Sequence, residues 1–210
     1  MSIKNELLEK AERGDSAAAL DLGVMLYQES DLNGAVRWWE VAANGGEINA
    51  ARNLMTIYIS AEKNCEKFLK WLRKMAELGD IKGKAVLSAL LCHSHAYWNI
   101  GGFGESALEQ IRDRKEGFQL IDEIGKEKII ACADSGELDY QDIHALGNAY
   151  FVRSLDHSKE SFIEDKMTAL EYQELALECA EKDSAPQIYI DTLQRLIHEN
   201  KEEIKAREKM

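Results

Sequence analysis

The chain has 210 residues, 45% hydrophobic and 30% charged, a balance that suits a folded protein and excludes a disordered one. One proline stands where usage of about 5% would supply roughly ten; with Leu, Ala, Glu and Lys abundant and strand-favouring Val and Thr scarce, helix is predicted throughout. The formal charge of −12 argues against a nucleic-acid ligand, whose phosphates call for the opposite sign.

The first residues, Met1 to Glu6, carry no apolar leader, and no window approaches about 18 consecutive apolar residues. A cytoplasmic protein without membrane contact is expected. Cys65, Cys92, Cys132 and Cys179 lie 27, 40 and 47 residues apart, with no paired short spacing, and read as reduced small hydrophobes rather than disulfides or metal ligands.

A repeat organises the chain from residue 11 onward. Gly14-Asp15, Gly46-Glu47, Gly79-Asp80 and Gly136-Glu137 recur at intervals of 32, 33 and 57 residues. Four residues after each glycine come Ala18, Ala50 and Gly83, with Tyr140 as the departure; then follow Leu22, Leu54 and Leu87, and then Leu26, Tyr58 and Leu91. Steps of four fall on one helical face and define a first helix per unit. A second helix leads into the next glycine. Ala35-x-x-Trp38-Trp39-x-x-Ala42-Ala43-x-x-Gly46 becomes Phe68-x-x-Trp71-Leu72-x-x-Met75-Ala76-x-x-Gly79. Weaker copies run from Gly125 through Ile129 and Cys132 to Gly136, and from Ala169 through Tyr172 to Ala176. The terminal glycine suits the left-handed residue that ends a helix. Each unit is a helical hairpin that cannot bury its stripe alone, so the units must stack.

Unit boundaries follow at about 11–43, 44–76, 77–133 and 134–180. The third unit is interrupted by residues 93–118, which include Trp98, Gly101, Gly102, Phe103 and Gly104, with Ser106-x-x-Glu109 reading as a capping box where helix resumes. A shorter insertion spans 154–164. Insertions of this kind are expected in loops on one face, often the binding face. A capping helix over 185–209 is signalled by Ser184-x-x-Gln187 with Pro186 in the first turn, followed by Ile190, Leu193 and Ile197 on one face.

The first unit, carried by Gly14, Ala18, Leu22, Gly23, Leu26, Ala35, Trp38, Trp39, Ala42, Ala43 and Gly46, resembles the Sel1-like repeat, a relative of the tetratricopeptide repeat. The fourth unit restores Leu146-Gly147-x-x-Tyr150. The resemblance implies an all-α fold: a right-handed α-solenoid of stacked antiparallel helix pairs, forming a single repeat domain over 1–210. It also implies that the first helices line a concave groove. Following off-stripe positions through the units gives Asp21, Asn53 and Val86; Val24, Thr56 and Ala89; and Gln28, Ser60 and His93. A preordered surface of this kind binds a peptide or domain with little ordering cost.

Catalytic and metal signatures are weak. Cys92-His93-x-His95 offers ligand types without a second half, Gly101-x-x-Gly104 lacks the strand and Lys-Ser/Thr of a phosphate loop, and His144 and His157 have no partner recognisable in sequence. Trp38, Trp39 and Trp71 lie in register with the repeat and read as packing. The expected function is a non-catalytic protein-protein interaction module, monomeric and without cofactor. Asp21, Gln28, Asn53, Thr56, Ser60 and His93 would contact the partner, joined by Trp98 and Phe103 from the insertion. A sharper expectation is a cognate inhibitor, or immunity protein, whose acidic surface meets a basic toxin domain or peptide. The alternative is a metal-dependent or enzymatic protein built on the His93/His95 region.

Overall fold

The Gly-acid steps of the repeat turn out to be complete helix-to-helix joints. In the computed structural model, which describes residues 2–60, 62–92, 110–156 and 159–208, the described residues form eleven α-helices and no strand. Two compact units divide the chain, Met1–Gly83 and Lys84–Met210.

The first unit holds α1 (Ile3–Glu12), α2 (Ser16–Gln28), α3 (Leu32–Asn44), α4 (Ile48–Ser60) and α5 (Cys65–Glu77), with the boundary falling inside α6 (Ile81–Leu91). Each helix from α1 to α4 packs against the next in chain order. Gly14, Gly46 and Gly79 all have left-handed backbones, with φ of 95°, 102° and 88°. The following residue then donates its N–H back across the turn: Asp15 to the Lys10 carbonyl, Glu47 to Ala42 and Asp80 to Met75, all 3.0–3.1 Å. The acid in turn opens the next helix. Asp15 accepts the Ala18 N–H at 3.0 Å and Asp80 accepts that of Gly83 at 2.5 Å. One dipeptide therefore closes one helix and starts the next, each cap contributing about 1 kcal/mol. Ser30, at φ 67°, takes the glycine's place before Asp31, which caps Gly34 at 2.9 Å.

Connectors of three residues, or four between α4 and α5, force successive helices back on one another, and small residues set how closely they approach. A Cβ at Gly23 would lie 2.5 Å from the Trp39 indole, so the α2 glycine is the seat of the α3 tryptophan. The stripe residues Ala18, Leu22, Leu26, Ala35, Trp39, Ala42, Ala43, Leu54, Tyr58, Phe68, Trp71 and Met75 are all buried, whereas Trp38 is half-exposed under the Arg37 guanidinium.

The second unit contains the rest of α6, then α7 (Arg114–Ile124), α8 (Lys126–Ser135), α9 (Tyr140–Asp156), α10 (Lys159–Lys182) and α11 (Gln187–Glu208). α9 packs on α7, α8 and α10, and α11 packs on α10. Several expectations change here. Gly125, placed inside a helix by the repeat, breaks α7 from α8 at φ 78°. The helix after the long insertion is capped by Asp113, which accepts the Glu116 N–H at 3.0 Å; residues 93–109, with Ser106, lie outside the described residues. The shorter insertion is absorbed into helix: 154–156 belong to α9 and 162–164 to α10. Arg153 explains why, because its guanidinium pairs with Asp165 at 2.7 Å and ties the end of α9 to the start of α10. Ser184, expected to cap α11, instead ends α10 with φ 54°, while Ala185 donates to the Ala180 carbonyl at 2.8 Å.

The Tyr140 departure has a local cause as well. After Gly136 the connector is longer, and Asp139 caps α9 by accepting from Asp142 N–H at 3.0 Å, while the Asp142 carboxylate accepts from Asp139 N–H at 3.1 Å. The repeat resumes two residues late, which is why Leu146, Gly147 and Tyr150 are in register and Tyr140 is not.

Candidate functional site

The expected partner-binding positions of the first unit lie on two helices. On α2, Asp21 and Gln28 are exposed; on α4, Thr56 and Ser60 are exposed and Asn53 is half-buried. Spacings of seven on α2, and of three and four on α4, keep each set on one helix face. The α4 hydroxyls are tied to their own helix, Thr56 Oγ1 to the Arg52 carbonyl at 3.0 Å and Ser60 Oγ to the Thr56 carbonyl at 2.6 Å. Their free lone pairs point the face toward donors. Arg52 on the same helix is held by Asp80 at 2.9 Å. Val24 is half-buried, whereas Val86 and Ala89 do not continue the row: both are buried, α6 being buried and apolar all round from Ala85 to Leu91 apart from Ser88. His93, Trp98 and Phe103 lie outside the described residues, as does His95.

The second unit contains a cavity of about 740 Å³ that the sequence did not mark. Its apolar wall comes from Phe151, Val152 and Leu155 of α9 and Leu196 of α11. Polar groups converge from three helices: His144 and Asn148 on α9, Gln173 on α10, and Tyr189, Thr192 and Asn200 on α11. Arg112 and Arg114 also line it, as do Glu199 and Glu203.

His144 is 6% exposed. Its Nδ1 lies 2.7 Å from the Tyr189 hydroxyl, while its buried Nε2 has no hydrogen-bond partner. The rings meet edge-on, 5.6 Å between centroids, and Tyr140 packs on the other side of Tyr189 at 4.9 Å. Burial pushes the imidazole pKa down from 6.5 to about 4, so the ring is neutral at pH 7. Burial likewise raises the Tyr189 phenol well above its ordinary value, so it keeps its proton. The neutral imidazole and the protonated phenol thus share one hydrogen bond.

Below these groups lies a buried polar chain. Lys166, fully buried, donates to Asn200 Oδ1 at 3.1 Å and to Glu203 at 2.7 Å, and sits 3.8 Å from the Phe151 ring centroid. Asn200 Nδ2 donates to Gln173 Oε1 at 2.8 Å. A charge this deep persists only because a carboxylate, an amide and an aromatic face all meet it. The arrangement sets a neutral imidazole against a protonated phenol, with the buried lysine and its amide and carboxylate partners on the same helices.

None of the four cysteines is in a disulfide. Cys92 and Cys132 are buried, the Cys132 thiol donating to the Glu137 carboxylate at 3.3 Å, whereas Cys65 and Cys179 are half-buried, with thiol pKa values raised by burial. Among the described residues no three His, Cys, Asp or Glu side chains gather as a metal site, and no helix is long and apolar enough to cross a membrane.

No family model matches the sequence, and no curated protein matches it. Among solved structures it is similar to the crystal structure of a protective antigen present in uropathogenic Escherichia coli strains and displaying an SLR fold. That likeness has 18% sequence identity and a TM-score of 0.38, and it covers 97% of this chain and 50% of the antigen. The chain thus spans about half the length of the antigen.

Proposed function

We propose that this chain is a non-catalytic protein-binding module of the Sel1-like repeat type, acting through the outward faces of α2 and α4. The carrying observation is the division of labour on those helices. Their apolar stripes are spent on packing, their ends are fixed by side-chain and left-handed caps, and Asp21, Gln28, Thr56 and Ser60 remain exposed on rigid supports. A surface ordered before binding loses little entropy when a partner docks.

The partner's chemistry follows from charge. At −12 and a pI near 5.0, the chain attracts a basic domain and speeds its approach. A cognate inhibitor of a basic toxin domain fits that role, and a toxin encoded beside this chain would be its partner. Purified chain is titrated with that toxin domain at 50 and 500 mM salt. The reading expects affinity to fall at the higher salt, and expects Asp21→Ala with Gln28→Ala, or Asn53→Ala with Thr56→Ala, to weaken binding at least tenfold while leaving the helical spectrum intact. Salt-independent affinity removes the steering argument. Unchanged affinity in both double variants removes α2 and α4 as the interface.

A further inference from the structure

We infer that the neighbouring faces of α8 and α10 receive a basic amphipathic helix of a partner protein, its apolar side on Ile130, Met167 and Leu175 and its lysines and arginines against the glutamates of α10. This surface belongs to the second unit and does not rest on the role assigned to α2 and α4.

Two contacts fix its geometry. Lys126, which opens α8, pairs with Glu171 of α10, and Asp134, near the end of α8, lines one depression with Cys179 of α10. Both pairs are 45 residues apart in sequence, so the two helices run side by side in the same direction. Ile130, one turn from both Lys126 and Asp134, then lies opposite Leu175. Next to the Lys126–Glu171 pair is an open depression of about 560 Å³, lined also by Ile163, Glu164, Met167 and Thr168. Met167 is 50% exposed and Ile130 38%, and Leu175 is half-buried. Met167 and Leu175 are two helical turns apart, about 12 Å, which matches apolar anchors two turns apart on a docked helix. A helix also satisfies its own backbone, whereas no strand edge is present among the described residues to pair an extended peptide.

Charge names the occupant. Residues 84–210 hold 25 of the 38 acidic side chains and 15 of the 26 basic ones, so the second unit carries −10 of the formal −12. On α10 the solvent side repeats Glu164, Glu171, Glu174, Glu178 and Glu181, all exposed, at steps of three, four and seven that keep them in one row. Glu171 and Glu174 pair with Lys126 and Lys201, but both pairs are exposed on both sides, so a partner's cation displaces them at little cost. A second copy would set the same glutamates face to face, and anionic lipid and nucleic acid are repelled alike. An apolar stripe beside an acidic row therefore fits a basic protein segment.

The probe is a labelled peptide of about 18 residues, alanine and lysine with two leucines two turns apart on one helical face. One control replaces its lysines by glutamates, and another moves one leucine to the opposite face. Anisotropy with the full chain should give a single site with Kd below about 100 μM at about 50 mM salt, and at least about tenfold weaker binding for either control or at about 500 mM salt. Glu164→Lys with Glu178→Lys, at exposed positions flanking the apolar stripe, should weaken the probe at least about tenfold in protein of unchanged helicity. Asp21→Ala with Gln28→Ala should bind it as the parent does, which separates this surface from that of α2. In the unmodified chain the Met167 methyl resonance should move as the probe is added. The proposal is overturned if the two charges bind alike, if the shifted leucine makes no difference, if the folded α10 variant binds as the parent does, or if the α2 variant loses the probe. An unmoved Met167 resonance overturns it equally, and a dimer in light scattering that Met167→Ser dissolves gives the face to a second copy instead.

Discussion

Acidifying the solution from pH 7 to pH 5 should destabilise this protein through His144. The imidazole titrates near 4 when folded and near 6.5 when solvated, so between those values the unfolded chain binds a proton that the folded chain refuses. Stability therefore rises with pH across the window and is lost as pH falls through it. Each pKa unit is worth about 1.4 kcal/mol, which sets a ceiling of roughly 3 kcal/mol for the full gap. Integrating the linkage from pH 7 to pH 5 leaves about 2 kcal/mol, a large share of a domain's usual margin. Urea unfolding at pH 7, 6 and 5 measures it, with His144→Gln as the reference that keeps a polar group near Tyr189 but removes the titration. The parent should lose about 2 kcal/mol more than the variant over that range. Parallel losses in the two proteins would refute the claim that desolvation holds the ring neutral.

Three further perturbations probe the packing. Gly23→Ala improves helix propensity by about 1 kcal/mol, yet its Cβ would sit 2.5 Å from the Trp39 ring, so a net loss of about 1–3 kcal/mol is expected in urea melts; a gain in stability would show that the indole yields. Asp80→Ala removes both the cap on Gly83 and the acceptor for Arg52, and should cost about 2 kcal/mol, whereas Arg52→Ala, at a half-exposed position, should cost under about 1 kcal/mol. Arg153→Met strands the 6%-exposed Asp165 carboxylate and should destabilise by about 3 kcal/mol or more, while Lys126→Met, whose pairing with Glu171 is exposed on both sides, should change thermal or chemical midpoints little.

The repeat was legible because its signals are local. Gly-Asp and Gly-Glu steps announce both ends of a joint within two residues, and Ala, Leu and Trp at fourfold spacing announce the buried stripe, so the first unit could be placed from sequence residue by residue. Ambiguity entered wherever a cap has more than one chemistry. Ser184 before Pro186 looks like the start of a helix, but a serine can also take the left-handed position that ends one, and here the Ala185 N–H reaching back to Ala180 selects the second role. Gly125 posed the converse problem. In the repeat it aligns with a position inside a helix, but nothing local distinguishes a glycine that permits close packing from one that breaks the backbone, and its φ of 78° makes it the latter.

The cavity was illegible for a different reason. His144 on its own is an undistinguished histidine in the middle of a helix, with no nucleophile or acid at a telling spacing. Its character comes from Tyr189, 45 residues away, which α9 and α11 bring to one nitrogen of the ring. Burial holds the ring neutral, and the pair lies against a space walled by leucine, valine and phenylalanine. None of those residue types signals a site in sequence, because each is what a helical core would contain anyway. Lys166 makes the same point from the other side. A lysine in a charged α10 reads as solvent-facing, and only Asn200, Glu203 and Phe151, drawn from two other helices, keep its charge in the interior. Periodicity therefore specifies how these helices pair, while the chemistry of the second unit arises where an off-period polar residue on one helix meets another across the pairing.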